Sequence, residues 1–294
     1  MSTRPGTAPK SKLVERLKEI SRGSPMPIGF GRVAETTGPA MLIVAVIPRN
    51  EVALVEAAIR AGADAVALRI HGAATDLLAS TGDLASEEAA IAGALAAAGS
   101  FAMIGVIIGS AGPVTPAEIN RLAGFGVDFV AAYPHLTPAN FLELSDVGRL
   151  AVLDQTGGQL ARGINDLSIH SAFVRTPRPI DSPREMTVLD VALTRAAADA
   201  IHRPIISLPS WDLRPPDLNV LRDAGIEAVA LVGPRPDVEA AAVEEMVRVF
   251  HDAVARLGKP RGRRVALSEV PVVLPRVASG ADTSEEEEDE EDDG

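Results

Sequence analysis

The sequence predicts an α/β fold, a (β/α)8 barrel, from three observations. First, residues 61–69, 125–133 and 224–232 repeat one pattern: a glycine, an acidic residue and a short apolar strand. Second, short apolar runs alternate with helix-like segments from residue 42 to residue 257. Third, the 294 residues are 47% hydrophobic, enough for the core of a barrel, which commonly needs about 250 residues. An open doubly wound sheet is disfavoured, because it needs a glycine-rich loop after its first strand, where this chain has Pro48-Arg49-Asn50.

Each predicted strand is short and apolar, as expected where both faces of a parallel sheet are buried. Right-handed crossovers close such a sheet. The predicted strands cover residues 42–47, 65–70, 102–108, 129–133, 150–153, 169–174, 204–208 and 228–232.

The spacing of apolar residues predicts a helix after each strand and an amphipathic helix over residues 12–22, before the first strand. We expect Asn50 to cap the helix that follows strand one, and Thr115 and Glu118 to form a capping box. The later predicted helices cover residues 86–98, 138–144, 159–165, 188–201, 216–224 and 238–257.

The predicted organisation has four parts. Residues 1–24 form a basic arm and short helix, 25–258 the barrel, 259–281 a basic and apolar extension, and 282–294 an acidic tail. The tail carries ten acidic residues, so removing it changes the net charge from −12 to −2. Such a run repels itself and buries nothing, and we expect it to be disordered. It could pair with the basic extension, recruit a basic partner or only confer solubility.

Composition excludes several functions. The chain has no cysteine, so it has neither disulfides nor thiolate chemistry. Aromatic residues make up only 3%, which disfavours a nucleic-acid platform. The longest apolar stretches are of strand length and no apolar signal region comes first, so we expect a cytoplasmic protein without a membrane partner.

In such barrels, the chemistry lies at the C-terminal ends of the strands. Because side chains alternate along a strand, Ala65, Ala67 and Arg69 should face the interior, with Arg69 and His71 at the barrel mouth. The same alternation places Tyr133, the only tyrosine, and His135 there. Each residue also has a structural interpretation: Arg69 could pair with Asp154, and His135 could be an ordinary loop residue.

Asp154 ends the fifth strand and is the best candidate for acid–base work, because a carboxylate leaving a buried strand needs a partner, a ligand or a proton. Asp76 and Asp83 are weaker candidates. The loop after strand six carries Arg175, Arg178 and Arg184, the charge expected of a lid over an anionic substrate, although an ordinary solvated loop is the alternative.

Residues 204–233 pass through a strand, a Pro-Pro-Asp-Leu helix start, Ala224-Gly225-Ile226-Glu227 and a strand ending Val232-Gly233. This stretch resembles the last quarter of aldolase-type and ribulose-phosphate-binding barrels. The resemblance implies a phosphate site formed by Ser207, Ser210, Gly233 and Arg235. Ser207 and Ser210 stand where those barrels usually carry a glycine loop, and Pro209 and Trp211 crowd that place.

No lysine lies between residues 19 and 258, which excludes a Schiff-base aldolase and an Asp–Lys decarboxylase. The sequence requires no cofactor. A divalent metal on Asp154 with His71 or His135, or FMN, is a weaker alternative. The sequence predicts a lysine-independent lyase or isomerase that acts on a small anionic metabolite, either phosphorylated or not. It is also compatible with a homo-oligomer. Arg69 would bind the anion, with Arg175 above it, while Asp154 or His135 moves the proton. The alternative is a catalytically degenerate barrel that serves as a binding or scaffold protein.

Overall fold

The computed structural model describes residues 11–22, 38–75, 77–154, 158–179 and 181–258. Several predicted features lie outside the described residues: the basic arm up to residue 10, most of the connector before strand one, Asp76, the extension over 259–281 and the acidic tail.

Over the described ranges, eight parallel strands close into a barrel in chain order, as predicted. They are β1 (Leu42–Val46), β2 (Ala65–Ile70), β3 (Met103–Ile108), β4 (Phe129–Ala132), β5 (Gly148–Leu153), β6 (Ser171–Val174), β7 (Ile205–Ser207) and β8 (Ala228–Val232). β8 pairs with β1 and completes the ring.

Helices connect the strands on the outside of the barrel. They are α1 (Lys12–Arg22), α2 (Val52–Arg60), α3 (Leu84–Ala98), α4 (Pro116–Gly124), α5 (Gly158–Asp166), α6 (Val188–Ala200), α7 (Asp217–Asp223) and α8 (Ala240–Ala255). Between β4 and β5 the chain makes only a 3₁₀ turn, Ala139–Glu143, instead of the predicted α-helix. None of the helices in these ranges is long and apolar enough to cross a membrane.

Two predictions about helix starts had different outcomes. The capping box is confirmed, because Thr115 and Glu118 exchange side-chain and backbone hydrogen bonds at the start of α4. The prediction for Asn50 is wrong, because Glu51 occupies the N-cap position of α2 and makes no side-chain cap. Asn50 instead bonds both the N–H and the carbonyl of Arg69, at 3.0 and 2.6 Å, and so continues the pairing of the first two strands.

The barrel has two apolar cores, one on each face of the sheet. The inner core includes Ala65 and Ala67 of β2, together with Phe129 and Phe173, whose ring centroids lie 6.4 Å apart. The outer core, between strands and helices, takes the intervening residues of β2, including Leu68. The predicted alternation along β2 is therefore confirmed, and Arg69 lies on the interior face.

Helix α1 closes the N-terminal end of the barrel. Its Leu13, Val14 and Leu17 are fully buried and belong to the inner core. The Asp128 carboxylate accepts hydrogen bonds from the Lys12 and Leu13 N–H groups, at 2.7 and 3.0 Å. It therefore serves as the cap that holds the first turn of α1.

The acidic residues of the repeats have related structural roles at this end. Asp64 accepts the Ile43 N–H at 2.9 Å and pairs with Arg16 of α1 at 2.8 Å. Glu227 accepts the Ile205 N–H at 2.7 Å. The preceding glycines, Gly62, Gly126 and Gly225, have φ between 79° and 96°, a conformation that favours glycine and ends the helix before each strand. The repeats thus shape the end of the barrel opposite to its mouth.

Candidate functional site

Four side chains, one from each even-numbered strand or the residue directly after it, form the uppermost layer of the barrel interior. Each neighbouring strand in a barrel of this type is displaced by about one residue at equal height. When this displacement is applied to the observed strand pairings, one circuit of the barrel returns to the same residue. Arg69, Tyr133, Arg175 and Val232 then lie at the same height. We call the space that this layer surrounds the mouth. It contains three of the predicted site residues.

Arg69 is 5% exposed, and among the described residues its guanidinium makes no ion pair. Its Nη1 and Nη2 donate to the carbonyls of Ala79 and Ala73, at 2.8 and 2.9 Å. These acceptors lie in the loop after β2, whose described residues 72–75 and 77–82 we call the strap. Burial lowers the pKa of Arg69, while Tyr133 and Glu87 act in the opposite direction.

The strap is tied to the barrel at several further points. The Ala79 N–H donates to the Pro48 carbonyl at 2.9 Å, and the Thr81 N–H donates to the Gly72 carbonyl at 2.9 Å. Leu78 packs against the inner core. The strap therefore lies over one side of the mouth, with an apolar side chain directed to the interior.

Tyr133 stands between the charged groups of the mouth. Burial and the Asp154 carboxylate raise the pKa of its hydroxyl, and Arg175 and Arg69 partly oppose that rise. The hydroxyl is therefore protonated at neutral pH and can donate a hydrogen bond or a proton. His135, which is exposed, meets the Tyr133 ring edge-on with centroids 5.9 Å apart.

Asp154 pairs with Arg175 and not with Arg69. The guanidinium binds both carboxylate oxygens, with Nε to Oδ1 at 3.1 Å and Nη2 to Oδ2 at 3.0 Å. Burial lowers the pKa of Arg175, but the hydrogen bond and charge of Asp154 outweigh it, so the pKa is raised overall. Both side chains are two-fifths exposed or slightly more, so a ligand can reach them.

The prediction that His71 lies at the mouth is not supported. Its φ is 49°, a left-handed conformation that ends the alternation of β2. Its Nε2 lies 2.8 Å from Oε1 of Glu118, at the start of α4. Burial would raise the pKa of Glu118, but hydrogen bonds from Thr115, His71 and Leu84 lower it to about 2. His71 therefore anchors the strap to α4. Asp83, another weak candidate, caps α3.

The arginines of the loop after β6 are all engaged by carboxylates. Arg178 pairs with buried Asp190 at 3.0 Å and also donates to the carbonyls of Pro183, Glu185 and Ser210. Arg184 pairs with Asp212 at the surface. Arg175 is the arginine that this loop contributes to the mouth layer, while Arg178 fixes the loop's shape.

The residues of the expected phosphate site do not form a cradle. Ser207 shares the outward face of β7 with Ile205, and Ser210 donates to the Thr176 carbonyl at 3.3 Å. A Cβ on Gly233 would lie 3.1 Å from the Pro48 ring, so this glycine packs closely against Pro48. Arg235 is exposed. Among the described residues, no hydrogen bond or ion pair joins Ser207, Gly233 or Arg235 to Arg69 or Tyr133.

No group of three or more His, Asp or Glu side chains within the described ranges could hold a metal ion. The sequence did not single out Asn50 or Leu78 as part of the site. Asn50 directly follows β1 and could have been recognised as a polar residue at a strand end, whereas Leu78 gave no signal, because an apolar residue in a long loop is common.

Similar folds occur among solved structures. Thiamine phosphate pyrophosphorylase from Pyrococcus furiosus matches with a TM-score of 0.55 and 13% identity, covering 74% of this chain and 98% of that one. A native KDPGal structure matches with a TM-score of 0.53 and 17% identity, covering 76% and 99%. These structures share with this chain the closed (β/α)8 barrel.

A mutant tryptophan synthase alpha-subunit from the hyperthermophile Pyrococcus furiosus also matches, with a TM-score of 0.52, 15% identity and coverage of 73% and 98%. No family model and no curated protein matches the sequence. At these identities the likeness establishes the (β/α)8 barrel fold alone, and function must be argued from the side chains.

Proposed function

We propose that this barrel binds a small anionic metabolite at its mouth and acts on it as a lyase or isomerase that uses no lysine. The observation that carries the proposal is the layer of Arg69, Tyr133 and Arg175, with Asp154 bound to Arg175. Two cations, a neutral phenol and a carboxylate around one apolar opening are suited to hold an anion and move a proton beside it.

Each residue has a distinct role in this proposal. Arg69 supplies the buried positive charge, and a guanidinium bonded only to carbonyls keeps further N–H donors for an anion. The Tyr133 hydroxyl donates to the oxygen on which negative charge develops. Asp154 accepts the proton, and Arg175 holds its carboxylate in position. His135 is the second candidate for proton transfer, because it contacts Tyr133 from the solvent side.

The first experiment measures thermal stabilisation by small carboxylates and phosphate esters. Arg69→Met and Tyr133→Phe should each lose the stabilisation given by the best anion, while Arg184→Gln keeps it, since Arg184 pairs with Asp212 at the surface. Equal stabilisation of the wild type and Arg69→Met would contradict the proposal, as would the absence of any stabilising anion.

The second experiment tests proton transfer. The stabilising anion is incubated with the protein in D₂O. Exchange of the C–H next to its carboxylate or carbonyl group is followed by proton NMR. The wild type should catalyse exchange. Asp154→Asn should still bind the anion but exchange it at least about a hundredfold more slowly, the usual scale of acid–base catalysis.

A specific observation favours the second candidate, a barrel that binds without turnover. The Asp154 carboxylate is held at both oxygens by Arg175, so a base must leave that pair before it can act. Binding that depends on Arg69, with no exchange in D₂O, would select this function. In that case the acidic tail is tested next, by comparing partner capture with and without residues 282–294.

A further inference from the structure

The floor of the mouth is entirely apolar. One step below the layer of Arg69, the strand registers place Val46, Ile107, Val152 and Leu208 at one height. Each belongs to the inner core or packs against it. A ligand that enters between Arg69 and Arg175 therefore rests on hydrocarbon, which an apolar group covers more favourably than a hydroxylated one.

Apolar side chains also line part of the wall. Val232 is the fourth member of the Arg69 layer, and Leu78 reaches the inner core from the strap. Leu78, Leu208 and Val232 are all only partly buried, so each retains surface that a ligand can cover. The polar groups and the apolar groups thus divide the mouth between them.

The charge of the mouth fits a monoanion. Arg69 and Arg175 contribute two positive charges, and Asp154 neutralises one of them through its ion pair. Glu87 acts on Arg69 as a further negative charge. Arg69, Arg175 and Asp154 together carry a net charge of +1, and Glu87 reduces it to zero, so the mouth lacks the excess positive charge that a phosphate dianion requires.

The places where a phosphate is expected are already filled. The Asp217 carboxylate accepts the Arg214 N–H at 2.9 Å in front of α7 and puts negative charge there. Gly233 packs against Pro48, and Ser207 faces outward from the barrel. At the start of α7 the N–H groups of Asp217, Leu218 and Asn219 already bond to the carbonyls of Arg214, Pro215 and Pro216. Of the two serines expected to bind phosphate, Ser207 faces outward and Ser210 donates to Thr176.

We propose that the ligand is a monocarboxylate with a branched or otherwise apolar body, such as a hydrophobic 2-oxo acid, and not a sugar phosphate. This rests on the proposed function. Arg69 and Tyr133 bind the carboxylate and its neighbouring oxygen, and the apolar body lies on Leu208 between Val232 and Leu78. Leu78, Leu208 and Val232 then determine specificity.

The test is titration calorimetry on the full chain with three probes: 4-methyl-2-oxopentanoate, pyruvate and ribose 5-phosphate. The branched acid has three more carbons than pyruvate, so burial of those carbons should make it bind about tenfold tighter or more. Ribose 5-phosphate should bind more weakly than either acid. Val232→Thr and Leu78→Ser should remove most of the branched acid's advantage, by weakening its binding several-fold more than that of pyruvate.

Val249→Thr, the same change on the exposed face of α8, is the matched control and should retain the full preference. Preference for ribose 5-phosphate that is lost in Arg69→Met would overturn the substrate class and leave the proposed function standing. Binding of any probe that is unaffected by Arg69→Met and Tyr133→Phe would refute the proposed function itself. If neither acid binds at 10 mM, the carboxylate inference is wrong.

Discussion

Arg175 and Asp154 hold each other through two contacts, at 3.1 and 3.0 Å, across the ends of two neighbouring strands. The pair lies where β5 and β6 enter the mouth, and both side chains remain accessible to solvent. An ion pair with this exposure contributes little to stability, and its value therefore lies in orienting the carboxylate.

Replacing Arg175 with Gln should separate these two contributions. We expect the free energy of unfolding to change by less than about 1 kcal/mol, because the pair is exposed. The affinity for the best anion should fall by roughly tenfold to a hundredfold, because the mouth loses one of its two positive charges and the Asp154 carboxylate is left without its counter-ion. Arg184→Gln on the same loop is the control, and an equal loss of affinity in that variant would contradict the assignment.

Arg69→Met should loosen the strap while the barrel stays folded. The new side chain fills much of the same space but cannot donate to Ala73 and Ala79. We expect faster hydrogen exchange at the Ala79 and Thr81 amides, measured by mass spectrometry of a peptide covering the strap. Arg60→Met on the exposed side of α2 is the comparison, and unchanged strap exchange in Arg69→Met would show that other contacts hold the loop.

Asp128→Asn should weaken the seal at the opposite end of the barrel. The carboxylate accepts from Ser11 Oγ and from two N–H groups of α1, and an amide can accept at only one of its two positions. The loss should be about 1–2 kcal/mol, as for other helix caps. Urea unfolding measures it, with Asp252→Asn on α8 as control. Equal stability of the two variants would mean that apolar contacts alone hold α1.

His170 predicts a loss of stability in mild acid. Burial, together with Arg149, Lys18 and Arg203, lowers the pKa of its imidazole from 6.5 to about 4. The unfolded chain therefore takes up this proton at a higher pH than the folded chain does. The free energy of unfolding is therefore unaffected by His170 above pH 6.5 and decreases as the pH falls towards 4. The decrease is about 2 kcal/mol after allowance for partial exposure.

His170→Gln should flatten this part of the stability profile, which is measured by thermal unfolding between pH 7 and 4. His202→Gln, at an exposed position, should leave the profile unchanged. Glu118 affects the stability of the fold over a lower pH range. Because its folded pKa is about 2 against an ordinary 4.5, the stability it contributes is lost as the pH falls from 4.5 through 2. A profile that is flat from pH 7 to 4 in the wild type would contradict the assignment for His170.

Two glycine substitutions should have opposite signs. A Cβ on Gly105, inside the barrel, would lie 2.3 Å from Cζ of Phe129, so Gly105→Ala should cost about 3 kcal/mol. Gly163 lies in α5 with open space around it, and Gly163→Ala should add roughly 0.5–1 kcal/mol through helix propensity. Urea unfolding compares the two variants, and similar values would show that Phe129 moves freely.

The sequence was sufficient for the barrel and for the residues that alternation carries to its mouth. Arg69 and Tyr133 follow from a period of two along short strands, whereas Asp154 was predicted from its place at the end of a buried strand and Arg175 from the charge of its loop. The predictions that did not hold concern residues at which the chain no longer alternates between the two faces of a strand. The φ of 49° at His71 turns it towards Glu118, and nothing in its neighbours along the chain announces that turn. The choice of Arg175 over Arg69 as the partner of Asp154 depends on contact between neighbouring strands, which a single sequence does not record.

Arg69 donates hydrogen bonds to main-chain carbonyl oxygens of the strap, and these oxygens are present whatever side chains the strap carries. Residues 77 and 78 can therefore be exchanged without removing the attachment. In a lineage of related proteins, or in a laboratory library randomised at these two positions, new ligand preferences could arise on an anchor that remains unchanged.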